Sequence, residues 1–199
     1  MLRRLRLKQG ENTPKSEDDE EVLLRNITLQ IKKYQDLKAA GLKHLPTTYQ
    51  LGGVEEKDPY IVMTDYTEND EKIVLSNNSV GNGVAIENIE NFDEVLRGIQ
   101  VDVQKASTAG FFIPLDAYFF IVPSSGGVVK DMSFAIADMD ECMRPEEGSQ
   151  LKNKLFALNL EQARGALLVV LINHMQDFAL SNALHQKLNA WATALRPKV

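Results

Sequence analysis

Two carboxylates, Asp138 and Asp140, directly follow a predicted strand. That strand is the second arm of a predicted β-hairpin, in which residues 118–122 are aromatic and β-branched, residues 124–127 form a turn and residues 132–137 return. Carboxylates at the rigid exit of a buried hairpin suit a site for a metal ion and phosphate groups, because hard cations bind oxygen ligands. Two neighbouring carboxylates also repel each other unless a cation or hydrogen-bond donors compensate. The structural alternative is that Asp138 caps a helix or begins a turn.

The other residues able to do chemistry do not form a recognisable set. His44, His174 and His185 lack the HxxxH and HExxH spacings of metal sites, so we expect no histidine metal cage. The single Cys142 excludes an internal disulfide and a cysteine-rich zinc site. Its acidic surroundings are expected to raise the pKa of the thiol, which argues against a cysteine nucleophile.

The composition is that of a globular protein with an acidic balance. Of 199 residues, 44% are hydrophobic and 25% are charged, and the net charge is −6. This charge argues against a general nucleic-acid binder, which normally carries a basic stripe. The strongest apolar run, residues 166–172, is too short to span a bilayer, and no apolar core of a signal peptide follows the basic start. We therefore expect a cytoplasmic protein without a membrane span.

The elements that must position the two carboxylates can be read from hydrophobic periodicity. Short strands are predicted at residues 1–8, 46–51 and 60–64. Residues 71–75 are a candidate third strand of the small sheet that 46–51 and 60–64 begin. Helical spacing of apolar residues predicts helices at 17–40, 92–108, 150–174 and 178–194. Strands gather in the first half and helices in the second, which indicates an α+β fold.

The periodicity also predicts which side chains are buried. The expected core residues are those on the apolar faces of the helices and hairpin: Leu23, Ile27, Ile31, Ile99, Phe120, Ile136, Leu167 and Leu171. We expect one compact unit with two parts, a small strand and helix lobe at 1–75 and a mainly helical lobe at 76–199 that contains the hairpin 118–137.

This order of elements resembles a reduced protein-kinase-like fold over roughly residues 1–175. LRRLRLK, the long helix, TYQL and YIVMTDYT are similar to a kinase small lobe that leads into the hinge. The helix at 92–108, IPLD, the hairpin and AIADMD are similar to the large lobe, with its catalytic loop and DFG-type tripeptide. The DMD tripeptide is closer to the aminoglycoside phosphotransferases, which often carry DxD.

The resemblance implies a metal and a catalytic position. Phosphoryl transfer needs magnesium on the phosphates and a carboxylate that orients the acceptor hydroxyl. By resemblance Asp138 and Asp140 would hold magnesium, and Asp116 would stand in the place of the catalytic-loop aspartate.

The resemblance also implies a nucleotide site, with ATP as the cofactor if the site is intact. Lys8 would be the strand lysine that contacts the phosphates, and Glu20 or Glu21 would be its helix partner. Met63 would stand at the gatekeeper position and Asp65 in the hinge.

The sequence departs from the kinase pattern at several catalytic positions. No GxGxxG precedes the first strand, IPLD replaces HRD, and the metal-binding Asn falls on Ile121, or on Phe119 if the register slips. An apolar side chain cannot bind a hard cation. The sequence therefore predicts a catalytically degenerate kinase-like protein that binds another protein. The alternatives are a minimal phosphotransferase that uses ATP and magnesium, and an adaptor or structural accessory protein unrelated to kinases.

Overall fold

The fold is α+β, as predicted. The computed structural model describes residues 2–5, 17–53, 59–67, 71–76, 86, 88–124, 131–175 and 177–195. Within them lie four long helices, one four-residue helix and two three-stranded antiparallel sheets. Lys8 and most of the predicted hairpin turn lie outside the described residues.

The first sheet is built around a long helix. Its strands are β1 (Leu2–Leu5), β2 (Tyr49–Gly52) and β3 (Tyr60–Thr64), and β3 lies in the middle, in the order β1-β3-β2. Helix α1 (Glu17–Ala39) connects β1 to β2. Gly41, at a φ of +85°, ends the helical segment in a conformation that suits glycine.

The second sheet contains the predicted hairpin. Strands β5 (Tyr118–Pro123) and β6 (Ser133–Ile136) pair antiparallel, which confirms that prediction. Strand β4 (Lys72–Leu75) pairs with β5 and not with the first sheet, so the assignment of 71–75 to the small sheet was wrong. The pairing gives the buried strand β5 a hydrogen-bonded partner on each edge, β4 on one and β6 on the other.

The remaining helices follow the predicted bounds closely. They are α2 (Phe92–Thr108), α3 (Gln150–Asn153), α4 (Leu155–His174) and α5 (Phe178–Leu195). The helix predicted over 150–174 is interrupted at Lys154, whose φ of −118° and ψ of 11° depart from helical values.

One hydrophobic core joins the two sheets and the helices. Every predicted core residue except Ile31 is buried, and Ile31 is half-buried. The exception has a local cause, because Gln30 takes the buried position on α1 and accepts a hydrogen bond from the Tyr49 hydroxyl at 3.0 Å. The buried face of α1 therefore turns away from Ile31.

Helix α4 is a candidate membrane-spanning helix by its length and composition, although the apolar run 166–172 within it is too short to span a bilayer. Among the described residues it is the one helix long and apolar enough to cross a membrane, and 44% of its most apolar window is buried inside the protein. Core helices of globular proteins share this length and composition. The expected absence of a membrane span stays a prediction.

Candidate functional site

The two carboxylates lie in a tight turn after β6, which we call the acidic turn (residues 138–141). Asp138 is half-buried and Asp140 is exposed, while Met139 between them is fully buried in the core. The backbone N–H of Asp140 donates to Asp138 Oδ1 at 3.3 Å. The Asp138 side chain therefore shapes the turn, as the structural alternative predicted.

The core holds the acidic turn from the strand side. The backbone N–H of Ile136 donates to His44 O at 2.7 Å, and that of Ala137 donates to Ala117 O at 3.0 Å. These bonds fix the chain immediately before Asp138. The position of the carboxylates is thus set by the hairpin and by the 3₁₀ turn at Leu115–Ala117.

Helix α1 holds the acidic turn from the other side. Lys33 Nζ donates to Met139 O at 3.1 Å and to Asp140 O at 2.8 Å. Asp36 on the same helix pairs with Arg144 at 3.1 Å, and the Arg144 guanidinium lies 4.3 Å from the centre of the Phe111 ring. Lys33 therefore binds backbone carbonyls of the turn and anchors helix α1 to it.

Burial and neighbouring carboxylates shape the chemistry of Asp138. Burial raises the pKa of Asp138, the N–H of Asp140 lowers it, and the charges of Glu141, Asp140 and Asp116 raise it further. The net effect on the pKa is upward, so the ionised form of Asp138 is disfavoured in the folded chain. A nearby cation or a further hydrogen-bond donor would stabilise the ionised form of Asp138.

Asp116 is close enough to the acidic turn to act on it electrostatically. It lies exposed in the 3₁₀ turn Leu115–Ala117, and its charge raises the pKa of Asp138. Helix α4 positions this turn, because Leu115 N–H donates to Gln162 Oε1 at 2.9 Å and Ile113 N–H donates to Asn159 Oδ1 at 2.8 Å. The structure thus places Asp116 within electrostatic reach of Asp138.

Of the predicted nucleotide residues on α1, Glu21 lies away from the part of the helix that contacts the acidic turn. Glu21 is exposed near the start of α1, twelve residues before Lys33, which corresponds to roughly 18 Å along a helix. Lys8 and the Glu20 side chain lie outside the described part of the chain. Their pairing and their contact with phosphates stay predictions.

Met63 and Asp65 have evident structural contacts. Met63 is buried in β3 as part of the core. Asp65 Oδ1 accepts hydrogen bonds from the Thr67 backbone N–H at 2.9 Å and the Thr67 hydroxyl at 2.7 Å. Asp65 therefore stabilises the turn after β3, and its role in a hinge site stays a prediction.

The described residues do not show a preformed metal cage or an activated thiol. No group of three or more His, Cys, Asp or Glu among them is placed to hold a metal ion. Burial raises the pKa of the Cys142 thiol to about 12, against the opposing effect of Lys33. Magnesium at Asp138 and Asp140 stays a prediction, and Cys142 is unsuited to act as a nucleophile.

A groove runs between α1 and the segment that follows the acidic turn. Its volume is about 280 Å³, and its lining includes Leu29, Gln30, Lys32, Phe111, Asp140 and Arg144. Leu29 is 48% exposed at its edge, and Val22 lies two turns earlier on α1 and is 58% exposed. We call this surface the α1 groove.

Sequence reasoning did not identify Lys33 or the α1 groove. The contact between Lys33 and Met139 spans 106 residues, so no local pattern marks it. One signal was present: Leu29, Lys33 and Asp36 share a helical face at spacings of four and three. That face is distinct from the buried one.

Comparisons with protein families, with curated proteins and with solved structures found no match to this chain. The geometry of the residues themselves therefore carries the functional argument.

Replacing Asp138 by Asn is expected to leave the apo protein as stable at pH 7 or slightly more stable. A carboxyl whose folded pKa is raised contributes stability that is present below its unfolded pKa and lost as pH rises through the folded value. The Asn side chain keeps an oxygen that accepts the hydrogen bond from the Asp140 N–H. Because Asn does not ionise, the variant does not lose stability as the pH rises. Denaturant unfolding of both proteins should show the gain at pH 7 and its disappearance near pH 4. A loss of stability at pH 7 would contradict this account of the turn.

Proposed function

We propose that this chain is a catalytically degenerate kinase-like protein that acts as a protein-binding module, with the α1 groove as its docking face. The order of elements supports the kinase-like part. The described residues between 2 and 64 form a long helix and three strands of one sheet, and β3 leads into the segment compared with a hinge. Strand β6 leads into the acidic turn, where the DFG-type tripeptide is expected.

The contacts of the acidic turn support the loss of catalysis. Lys33, the cation that meets the turn, donates to two backbone carbonyls. Ile121, at the position of the metal-binding Asn, is buried in β5 and has no ligand oxygen in its side chain. Protein binding requires neither phosphates nor a metal ion at the acidic turn. These contacts are therefore compatible with a protein-binding role.

The observation that carries the proposal is the exposed apolar edge of the α1 groove. Leu29 lines the groove together with Lys32 and Arg144, and Val22 lies two turns earlier on the same side of α1. Apolar side chains with a charged rim are typical of protein-interaction surfaces. The partner is a polypeptide segment with an apolar anchor for Leu29 and a carboxylate for Lys32.

Substituting both Val22 and Leu29 by Ser should weaken binding of the partner without unfolding the protein. Both residues are exposed, so the change in unfolding free energy should stay within about 0.5 kcal/mol per residue. The measurement is quantitative affinity capture in the source cells, followed by direct binding of the captured protein to purified chains. We expect at least a tenfold weaker Kd, about 1.4 kcal/mol.

The matched control is Val101→Ser, an exposed apolar position on α2 at 41% exposure. It should keep full binding. If the α1 double variant and the α2 control bind every captured protein equally well, the α1 groove is not the docking face.

A second function, a minimal phosphotransferase that uses ATP and magnesium, has one observation in its favour. Asp116 acts on the pKa of Asp138, so the carboxylates proposed for catalysis and for the metal share one electrostatic environment. Nucleotide binding that depends on magnesium separates this function from the binding module.

A further inference from the structure

A second cavity lies between the second sheet and the segment that follows α1. Its volume is about 180 Å³, and its lining includes Lys43, His44, Tyr66, Lys72, Ile121 and Ser133. Pockets for drug-sized ligands measure roughly 300–1,000 Å³, so this one suits a small ligand.

Strand register explains how one wall of the cavity forms. Lys72 pairs with Pro123, two residues from Ile121, and Ile121 pairs with Ser133. Residues directly opposite each other, or two apart on one strand, lie on the same face of a sheet. Lys72, Ile121 and Ser133 therefore share the face of the second sheet that lines the cavity.

The opposite wall is the segment 43–45, which Asp102 holds rigidly. Asp102, fully buried on α2, accepts the backbone N–H groups of Lys43 and His44, each at 3.0 Å. His44 Nδ1 lies 2.8 Å from Asp102 Oδ2, and Lys105 Nζ donates to Gly41 O. The segment is thus preorganised by α2, whatever the cavity contains.

The His44 ring is fixed on three sides. It stacks on Phe134 with ring centres 4.1 Å apart, and a Cβ at Gly98 would come within 2.9 Å of it. Because a carboxylate only accepts hydrogen bonds, the ring proton lies on Nδ1.

The charge of the lining identifies the class of ligand. Lys43, His44 and Lys72 can each carry a positive charge, and none of the described lining residues is a carboxylate. The chain as a whole has a net charge of −6, so this local excess of basic groups is opposite in sign to the average surface. Ser133 and Tyr66 add hydroxyl groups, and the buried Tyr66 hydroxyl has no hydrogen-bond partner among the described residues.

We propose that this cavity binds a small oxyanion of the phosphate type, with Lys43 and Lys72 as its charge partners and the His44 ring as a fixed wall. This inference is independent of the proposed function, because it uses none of the residues of the acidic turn or the α1 groove.

The test is a calorimetric titration of the whole protein with sodium phosphate at constant ionic strength, with sodium chloride as the reference anion. Wild type should bind one phosphate saturably, and Lys43→Gln with Lys72→Gln should weaken binding at least tenfold. Lys32→Gln, which removes a lysine from the α1 groove, should bind as wild type does. A parallel titration with O-phosphoserine compares a phosphomonoester with free phosphate. The ligand that binds more tightly is the better match to the cavity.

Amide chemical shifts keep the test independent of how the variants fold. Phosphate should move the resonances of residues 43–45, 66–67 and 133–135 of the wild-type protein. Shifts confined to other regions, no saturable binding, or equal weakening by Lys32→Gln would each overturn the proposal.

Discussion

Replacing Asp102 by Ala should lower the free energy of unfolding by about 2–6 kcal/mol, because two backbone N–H groups lose their acceptor. Asp102 is fully buried and accepts hydrogen bonds from two backbone N–H groups and from the His44 ring. Without it, the N–H groups of Lys43 and His44 lose their partner in a partly buried place, and each such loss costs about 1–3 kcal/mol. Denaturant unfolding at pH 7 measures the difference.

The control lies on the same helix. Asp93 is 64% exposed and pairs with Lys187 at 2.7 Å, and exposed ion pairs contribute about 0–1 kcal/mol. Asp93→Ala should therefore cost less than about 1 kcal/mol. If Asp102→Ala costs no more than Asp93→Ala, then Asp102 does not anchor the segment 43–45.

Leu167→Ala and Ile136→Ala should each cost about 2–5 kcal/mol, the range for removing a large buried aliphatic side chain. Both side chains are fully buried, Leu167 in the helix that packs beneath the second sheet and Ile136 in the strand that precedes the acidic turn. The removed methyl groups leave cavities that surrounding side chains fill only in part. Urea unfolding with a fitted midpoint and slope gives each difference.

Ile172→Ala provides the matched comparison on α4, because Ile172 is 60% exposed. It should change the unfolding free energy by less than about 0.5 kcal/mol. Losses under about 1 kcal/mol at both Leu167 and Ile136 would show that the buried faces have been assigned incorrectly.

Hydrophobic periodicity was sufficient to predict the helices and the hairpin, because each of these is defined by contacts close in sequence. The predicted bounds of α2 and of the strands of the hairpin agree with the structure to within a few residues. The partner of β4 was not predictable in this way. Its pairing with β5 spans about fifty residues and is set by tertiary contacts, which no local pattern records.

The candidate site was predictable only in part. Asp138 and Asp140 stand out because two carboxylates follow an apolar strand, and the structure does place them in one turn. Lys33 did not stand out, because its partners are backbone carbonyls, which carry no sequence signal.

Asp102 offered a signal that sequence reasoning did not use. It lies three residues after Ile99 and directly before Val103, so helical spacing places it on the buried face of α2. A buried carboxylate needs hydrogen-bond donors. Its donors are the backbone N–H groups of Lys43 and His44, almost sixty residues away. Only the tertiary structure identifies them.

The measurement that tests the account most directly is thermal unfolding of the wild-type protein with and without ATP and magnesium. A ligand at a hundred times its Kd adds about 2.7 kcal/mol of stability, which is readily detected as a rise in Tm. For a binding module that has lost phosphoryl transfer, we predict the same Tm under all four combinations of nucleotide and metal. The contrary result is a rise in Tm that requires both ATP and magnesium, is lost in Asp138→Asn and is kept in Glu141→Gln, a change at an exposed neighbour in the same turn.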